Sequence, residues 1–274
     1  MLSPAPGAAR LAARRRAAEA AGDRLLVVYL TLGDPLTSGP PGLGPVLAAA
    51  GVDVLELGLP TPGTRPRGAV VGASFERASG TPPAQVWAEL GELRRRLPDV
   101  PLVLLVYPET VADLGWPALL AESVRRGVDG MVLTRPSVAD LRRVSAAGLS
   151  AIPLIPPNVA SSFARDLEEA ASGLTYRPLA ARTGDPLEPE SVGRLAARLR
   201  AGATTPFIVG FGIRNEEEIR AAVPHVAGVV IGSEFIARIS AVPESGRTSY
   251  VGGLIQRWKS ATRPTGVADP GGDP

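Results

Sequence analysis

The chain has 274 residues, of which 45% are hydrophobic and 20% charged, with a formal net charge of only +2. It has no cysteine, a single histidine (His225) and a single lysine (Lys259), which excludes disulfides and thiolate metal sites and argues against a histidine zinc site, a serine–histidine pair or Schiff-base chemistry. The pI near 9.4 overstates basicity because few groups titrate between neutral pH and arginine, and the Arg14–Arg16 run lies among alanines in a chain with 4% aromatics, so neither a nucleic-acid nor a metal partner is expected.

No apolar stretch reaches the roughly 20 residues that span a bilayer. The first residues carry arginine but no apolar signal core. The expectation is a cytoplasmic protein that does not enter the membrane.

In chain order, LAARRRAAEAAG (residues 11–22) reads as a helix closed by Gly22. Leu25 to Leu32 is a near-continuous apolar run, the pattern of a strand buried on both faces in a parallel sheet. PVLAAAG is a small-residue helix ending at Gly51, and Asp53 to Leu59 is the second strand. Residues 68–78 and 83–97 read as helices, the latter with apolar residues at three- and four-residue spacing. Pro101 to Tyr107 is the third strand, Ala112 to Arg126 a helix, and Asp129 to Leu133 the fourth strand. A helix from Val138 leads to the fifth strand, Ala151 to Ile155. A helix from Ser161, the strand Leu174 to Leu179 and a helix from Pro189 follow. Pro206 to Gly212 is the seventh strand, Asn215 caps the next helix, and Ala227 to Ser233 is the eighth strand. A short helix over 234–239 and a last one over 246–261 complete the pattern.

Eight apolar strands alternating with helices predict a parallel sheet covered by helices, and the count of eight points to a closed (β/α)8 TIM barrel. An open doubly wound sheet is the alternative, but no GxGxxG follows the first strand. Residues 1–262 are read as one barrel with an extra N-terminal helix, and residues 263–274 as a disordered tail.

One side chain stands out. Glu56 interrupts an apolar strand, and a carboxylate there is costly unless it has a task or a partner. The loop behind it, PTPGTRPRG, ends in Arg65 and Arg67. In a barrel the site lies at the C-terminal ends of the strands. Three glycine-rich strand ends fall late in the chain: Thr183-Gly184, Gly210-Phe211-Gly212 and Gly232-Ser233. Glycine lets a backbone N–H approach an anion, and the helix that follows Gly232-Ser233 adds its dipole. A phosphate is therefore expected there, although the same glycines also serve as turns.

Several segments together resemble the tryptophan synthase α subunit family. They are TLGDP (31–35), LELGLP (55–60), Tyr107, PPN (156–158), Thr175-Tyr176, Thr183-Gly184, GFGI (210–213) and Gly232-Ser233, in the family's order and close to its spacing, covering the chain from about Ala17 to Ala261. The resemblance implies a (β/α)8 lyase that needs no cofactor and cleaves indole-3-glycerol phosphate to indole and glyceraldehyde 3-phosphate. It also implies a β-like partner subunit that consumes the indole. By resemblance Glu56 is the acid/base carboxylate with Tyr176 beside it. Gly184, Phe211, Gly212, Gly232 and Ser233 hold the phosphate, and Tyr29, Tyr107 and Leu133 line the pocket.

One departure stands in the opening loop. The family places a second carboxylate there, eleven positions beyond the catalytic Glu, where this chain has Arg67. No acid lies between Glu56 and Glu76. Arg67 is either a solvent-exposed loop residue or part of a rebuilt pocket that meets an anionic group. Two alternatives to a divergent indole-releasing lyase follow. One is an enzyme on another phosphate or an isoprenoid-type diphosphate, and the other a barrel that binds a ligand or partner without catalysis.

Overall fold

The structure, a computed structural model, describes residues 6–38, 42–66, 68–180 and 189–264. The elements run α1 (Pro6–Ala20), β1 (Leu25–Thr31), α2 (Gly44–Ala49), β2 (Val54–Gly58), α3 (Ala69–Ala78), α4 (Pro83–Arg96), β3 (Leu102–Val106), α5 (Pro108–Leu114), α6 (Trp116–Arg125) and β4 (Gly130–Leu133). They continue with α7 (Val138–Ala146), β5 (Ser150–Pro153), α8 (Ser161–Ala170), β6 (Thr175–Pro178), α9 (Pro189–Ala201), β7 (Phe207–Gly210), α10 (Glu216–Ala222), β8 (Gly228–Ile231), α11 (Ser233–Ser240) and α12 (Glu244–Ala261).

All eight strands pair in parallel in the order β5-β4-β3-β2-β1-β8-β7-β6. The ends of this sheet meet in a bridge between Leu154 and Tyr176, where the Ile155 N–H donates to the Tyr176 carbonyl at 2.8 Å. The result is the closed (β/α)8 barrel that the alternation of strands and helices predicts. Strand residues alternate between two apolar layers. One fills the barrel interior with Leu25, Val27, Val103, Ile152, Leu174 and Ile208. The other lies between strands and helices and includes Leu26, Leu55, Leu104, Leu133 and Val209.

Helix α1 closes the floor of the barrel. Its Leu11 joins the interior layer, and its arginines reach the two aspartates that precede β2 and β4. Arg14 pairs with Asp53, and Arg10 with Asp129. Asp53 also accepts from the Leu26 N–H at 2.7 Å and from Lys259 at 2.8 Å. The single lysine is thus engaged at the end of the barrel opposite the mouth.

The expected helix over 112–126 is two helices. Gly115 has φ +71°, a conformation that glycine adopts without strain, and Pro117 lies in the first turn of α6. Helix α5 begins directly after Tyr107, four residues earlier than the apolar spacing suggested. Of the expected tail, Arg263 still pairs with Asp23 at 2.8 Å, and residues 265–274 lie outside the described residues. Among the described residues no helix is long and apolar enough to cross a membrane.

Candidate active site

Strand β2 reads Val-Leu-Glu-Leu-Gly, and the two-residue period sends Leu55 and Leu57 to the helix layer and Val54 and Glu56 into the barrel. Glu56 is 3% exposed. Below it lie only apolar side chains, among them Val54, Val103, Val132, Ile208 and Leu11 from α1. Its Oε1 has no hydrogen-bond partner among the described residues. An ionised carboxylate without a partner is strongly disfavoured in such surroundings. Burial accordingly pushes the Glu56 carboxyl up to about 8.

Above Glu56 a cavity opens toward the mouth. Three of the chain's four tyrosines line it, Tyr29, Tyr107 and Tyr176, together with Phe211, Gly212, Gly232 and Ser233. About 30 Å³ remains between these groups, room for about one water. Burial raises all three phenols above their ordinary range, and the Glu56 charge pushes each in the same direction. They are hydrogen-bond donors throughout the physiological range.

Two glycines make this arrangement possible. A Cβ on Gly58 would lie 2.0 Å from the Tyr29 hydroxyl, and one on Gly210 would lie 2.1 Å from the Tyr176 hydroxyl. Each phenol therefore crosses the end of a neighbouring strand where only glycine leaves room. Tyr176 also packs on Phe211, with ring centroids 5.7 Å apart.

Phe211 itself has φ +62° and Gly212 φ +121°. A left-handed phenylalanine is uncommon, and such strain concentrates at functional turns. The turn after β7 lies against the cavity beside Gly232, which caps α11. The first N–H groups of a helix have no intrahelical acceptor and carry the positive end of its dipole. With the Ser233 hydroxyl, this corner is suited to an oxyanion.

Not every expected residue lies in this cluster. Glu56, Tyr176, Phe211, Gly212, Gly232, Ser233, Tyr29 and Tyr107 come together. Leu133 does not. It packs in the helix layer, and its neighbour Val132 faces the barrel interior. Strand parity could have found this, because Val132 pairs with Leu105, which lies on the same face as Tyr107. Arg67 and Gly184 lie outside the described residues.

The described part of the loop after β2 turns outward. Arg65 is exposed and donates to the carbonyls of Pro62 and Thr64 within its own loop. The loop is fastened to α5, where Thr64 Oγ1 lies 3.0 Å from Thr110 Oγ1 and the Gly63 N–H donates to Asp113 at 2.7 Å. Among the described residues that line the cavity, Glu56 is the single carboxylate. Also missed from sequence were Thr31 and Ser74, fully buried hydroxyls behind Tyr29. Among the described residues no group of three acids or histidines is gathered to hold a metal.

Comparison with known proteins bears on this arrangement. The sequence profile of the family described as "Tryptophan synthase alpha chain" matches residues 16–256. The tryptophan synthase alpha chain of Halorhodospira halophila is 32% identical over 240 residues, covering 84% of this chain and 87% of that protein. That of Solibacter usitatus is 36% identical over 235 residues, covering 81% and 86%. The crystal structure of the tryptophan synthase alpha chain from Legionella pneumophila superposes with a TM-score of 0.80 at 24% identity, covering 94% of this chain and 98% of that one, a likeness of fold.

Proposed function

The chain belongs to the tryptophan synthase alpha chain family, and from that premise we propose that it is a carbon–carbon lyase that splits indole-3-glycerol phosphate into indole and glyceraldehyde 3-phosphate. One observation carries the reading for this chain. A buried carboxyl, its Oε1 without a partner among the described residues and its pKa pushed up by burial to about 8, faces a cavity whose other wall is a glycine-rich, helix-capped corner suited to an anion.

The reaction needs one proton delivered to indole C3 and one taken from the hydroxyl on the carbon that leaves. The C–C bond electrons pass to the ring, and the carbinol becomes an aldehyde. A group that starts neutral, gives its proton and takes one back closes this cycle with no net change. Near neutral pH Glu56 is in that state. Tyr176 stands beside it as a donor toward the developing charge. The backbone around Phe211 and Gly212, the α11 start at Gly232 and the Ser233 hydroxyl take the phosphate. Gly184 joins them on the sequence pattern. Tyr107 and Leu105 supply apolar wall for the indole ring.

The reading makes Glu56 the sole carboxylate of the described site. The described arginine of the β2 loop, Arg65, is spent on its own loop and offers no second anion subsite. The loop faces outward at the barrel mouth, where a β-like subunit that consumes the indole would dock. The test is direct. Purified protein is incubated with indole-3-glycerol phosphate, and indole and glyceraldehyde 3-phosphate are measured in equal amounts. Turnover that is absent both alone and with a tryptophan synthase β subunit would falsify the assignment.

A further inference from the structure

Tyr29 has a built hydroxyl environment and no task in the reaction just described. It is 2% exposed and stands opposite Glu56 in the β1–β2 register. Its root abuts the anion corner, since a Cβ on Gly232 would lie 3.3 Å from the Tyr29 Cβ. Its hydroxyl lies over Gly58, two residues beyond Glu56. The ring therefore runs between the place for the phosphate and the place for the chemistry.

The hydroxyl is held from behind. Thr31 Oγ1 donates to it at 3.1 Å, and Ser74 Oγ lies 2.6 Å behind Thr31. A hydroxyl has one proton to give. Ser74 Oγ can donate either to Thr31 or to the Val71 carbonyl, both at 2.6 Å. With Ser74 donating to Thr31 and Thr31 to the phenol, Tyr29 keeps its own proton, and among the described residues no other acceptor lies against it. Neither Tyr107 nor Tyr176 has a comparable hydroxyl behind it in the described structure. Burial keeps the phenol protonated at physiological pH.

We propose that Tyr29 is a second hydrogen-bonding residue of the site, donating its phenolic proton to an oxygen of the polar chain that joins the ring and the phosphate of the substrate. The proposal rests on the substrate reading above. An aromatic wall alone would need no Thr31 and no Ser74. A donor aimed at the substrate's middle selects ligands with oxygen there over ligands without it.

The experiment compares two ligands with the same ring and phosphate. One is indole-3-glycerol phosphate, whose linking chain carries hydroxyls. The other is indole-3-propanol phosphate, whose chain carries none. Binding is measured calorimetrically in the Glu56→Gln protein, so that no turnover intervenes. Adding Tyr29→Phe is expected to weaken the glycerol phosphate about five- to tenfold, the size of one neutral hydrogen bond, and to leave the propanol phosphate within about twofold. Thr31→Val, which keeps the phenol and removes its support, is expected to give a smaller loss in the same direction, and it decides the matter if Tyr29→Phe does not fold. Equal weakening of both ligands would show a packing role and overturn the proposal, as would no change in either. Absence of binding by either ligand before any change at Tyr29 would instead defeat the substrate reading, and the proposal with it.

Discussion

Asp53 and Glu56 are three residues apart in one segment, and each is almost fully buried. They are treated in opposite ways. At the floor of the barrel Asp53 receives Arg14, Lys259 and the Leu26 N–H. Asp129, the matching residue ahead of β4, receives Arg10, Arg94 and the Leu102 N–H at 2.8 Å. At the mouth Glu56 Oε1 has no hydrogen-bond partner among the described residues. A carboxylate that serves the fold is surrounded by donors, because an unpaired buried charge would cost several kcal/mol. A carboxyl that serves proton transfer is left without donors, because partners would fix it in the ionised state.

Glu56→Gln breaks this contrast most sharply. Indole release is expected to fall about a thousandfold, within the range for loss of a general acid–base group. Stability is expected to move the other way. The folded-state pKa near 8 lies above the ordinary 4.5, so the folded state holds a proton that the unfolded chain has released. The stability that Glu56 contributes is full below pH 4.5 and is lost as pH rises from there through 8, by an amount of the order of 5 kcal/mol. Urea unfolding across this range should show that decline in the parent and a much flatter profile in Glu56→Gln. In the same window kcat/KM should fall with unit slope above pH 8, as Glu56 loses the proton it must donate.

Asp129→Ala tests the floor. Removing one member of a buried ionic cluster takes the carboxylate from Arg10 and Arg94 and the acceptor from the Leu102 N–H, and about 3 kcal/mol of stability should be lost. Activity per folded molecule should stay within about twofold, since nothing at the mouth has changed. A comparable loss of turnover at low temperature would deny the division between floor and mouth.

Gly58→Ala probes how closely the mouth is packed. The new methyl would lie 2.0 Å from the Tyr29 hydroxyl and 3.0 Å from Phe75. A destabilisation of about 1–3 kcal/mol is expected, as for overpacking elsewhere, with the Tyr29 ring displaced from Thr31. Crystallography and a melting curve would read the two effects. The smallest change is expected for Arg65→Ala. An exposed arginine bonded to its own loop should contribute less than about 0.5 kcal/mol, and turnover by the chain alone should be nearly unaltered. A large loss of turnover would place that side chain in the site after all.

Much of this was legible in the sequence. The apolar runs located all eight strands to within about two residues at each end, because a parallel strand buried on both faces has no polar positions to blur it. Glu56 was visible for the same reason, as an acid where burial forbids one. The anion corner was visible because glycine at consecutive strand ends has a backbone meaning. The helix break at Gly115 was not, since a single glycine in a helical pattern is compatible with continuation. Leu133 was carried over from the family resemblance, and only the strand register, which pairs Val132 with Leu105, shows that it faces the helix layer.

The sequence by itself determined the order of strands and helices, the carboxyl in β2 and the glycine-rich turns after β7 and β8. The tertiary structure decided what surrounds those residues. Leu11 from a helix before the barrel covers the floor beneath Glu56, and that burial moves its pKa toward neutrality. Thr31 and Ser74, distant in sequence, meet behind the Tyr29 hydroxyl. Proton affinity and hydrogen-bond direction depend on neighbours in space, and barrel closure is what brings those neighbours together.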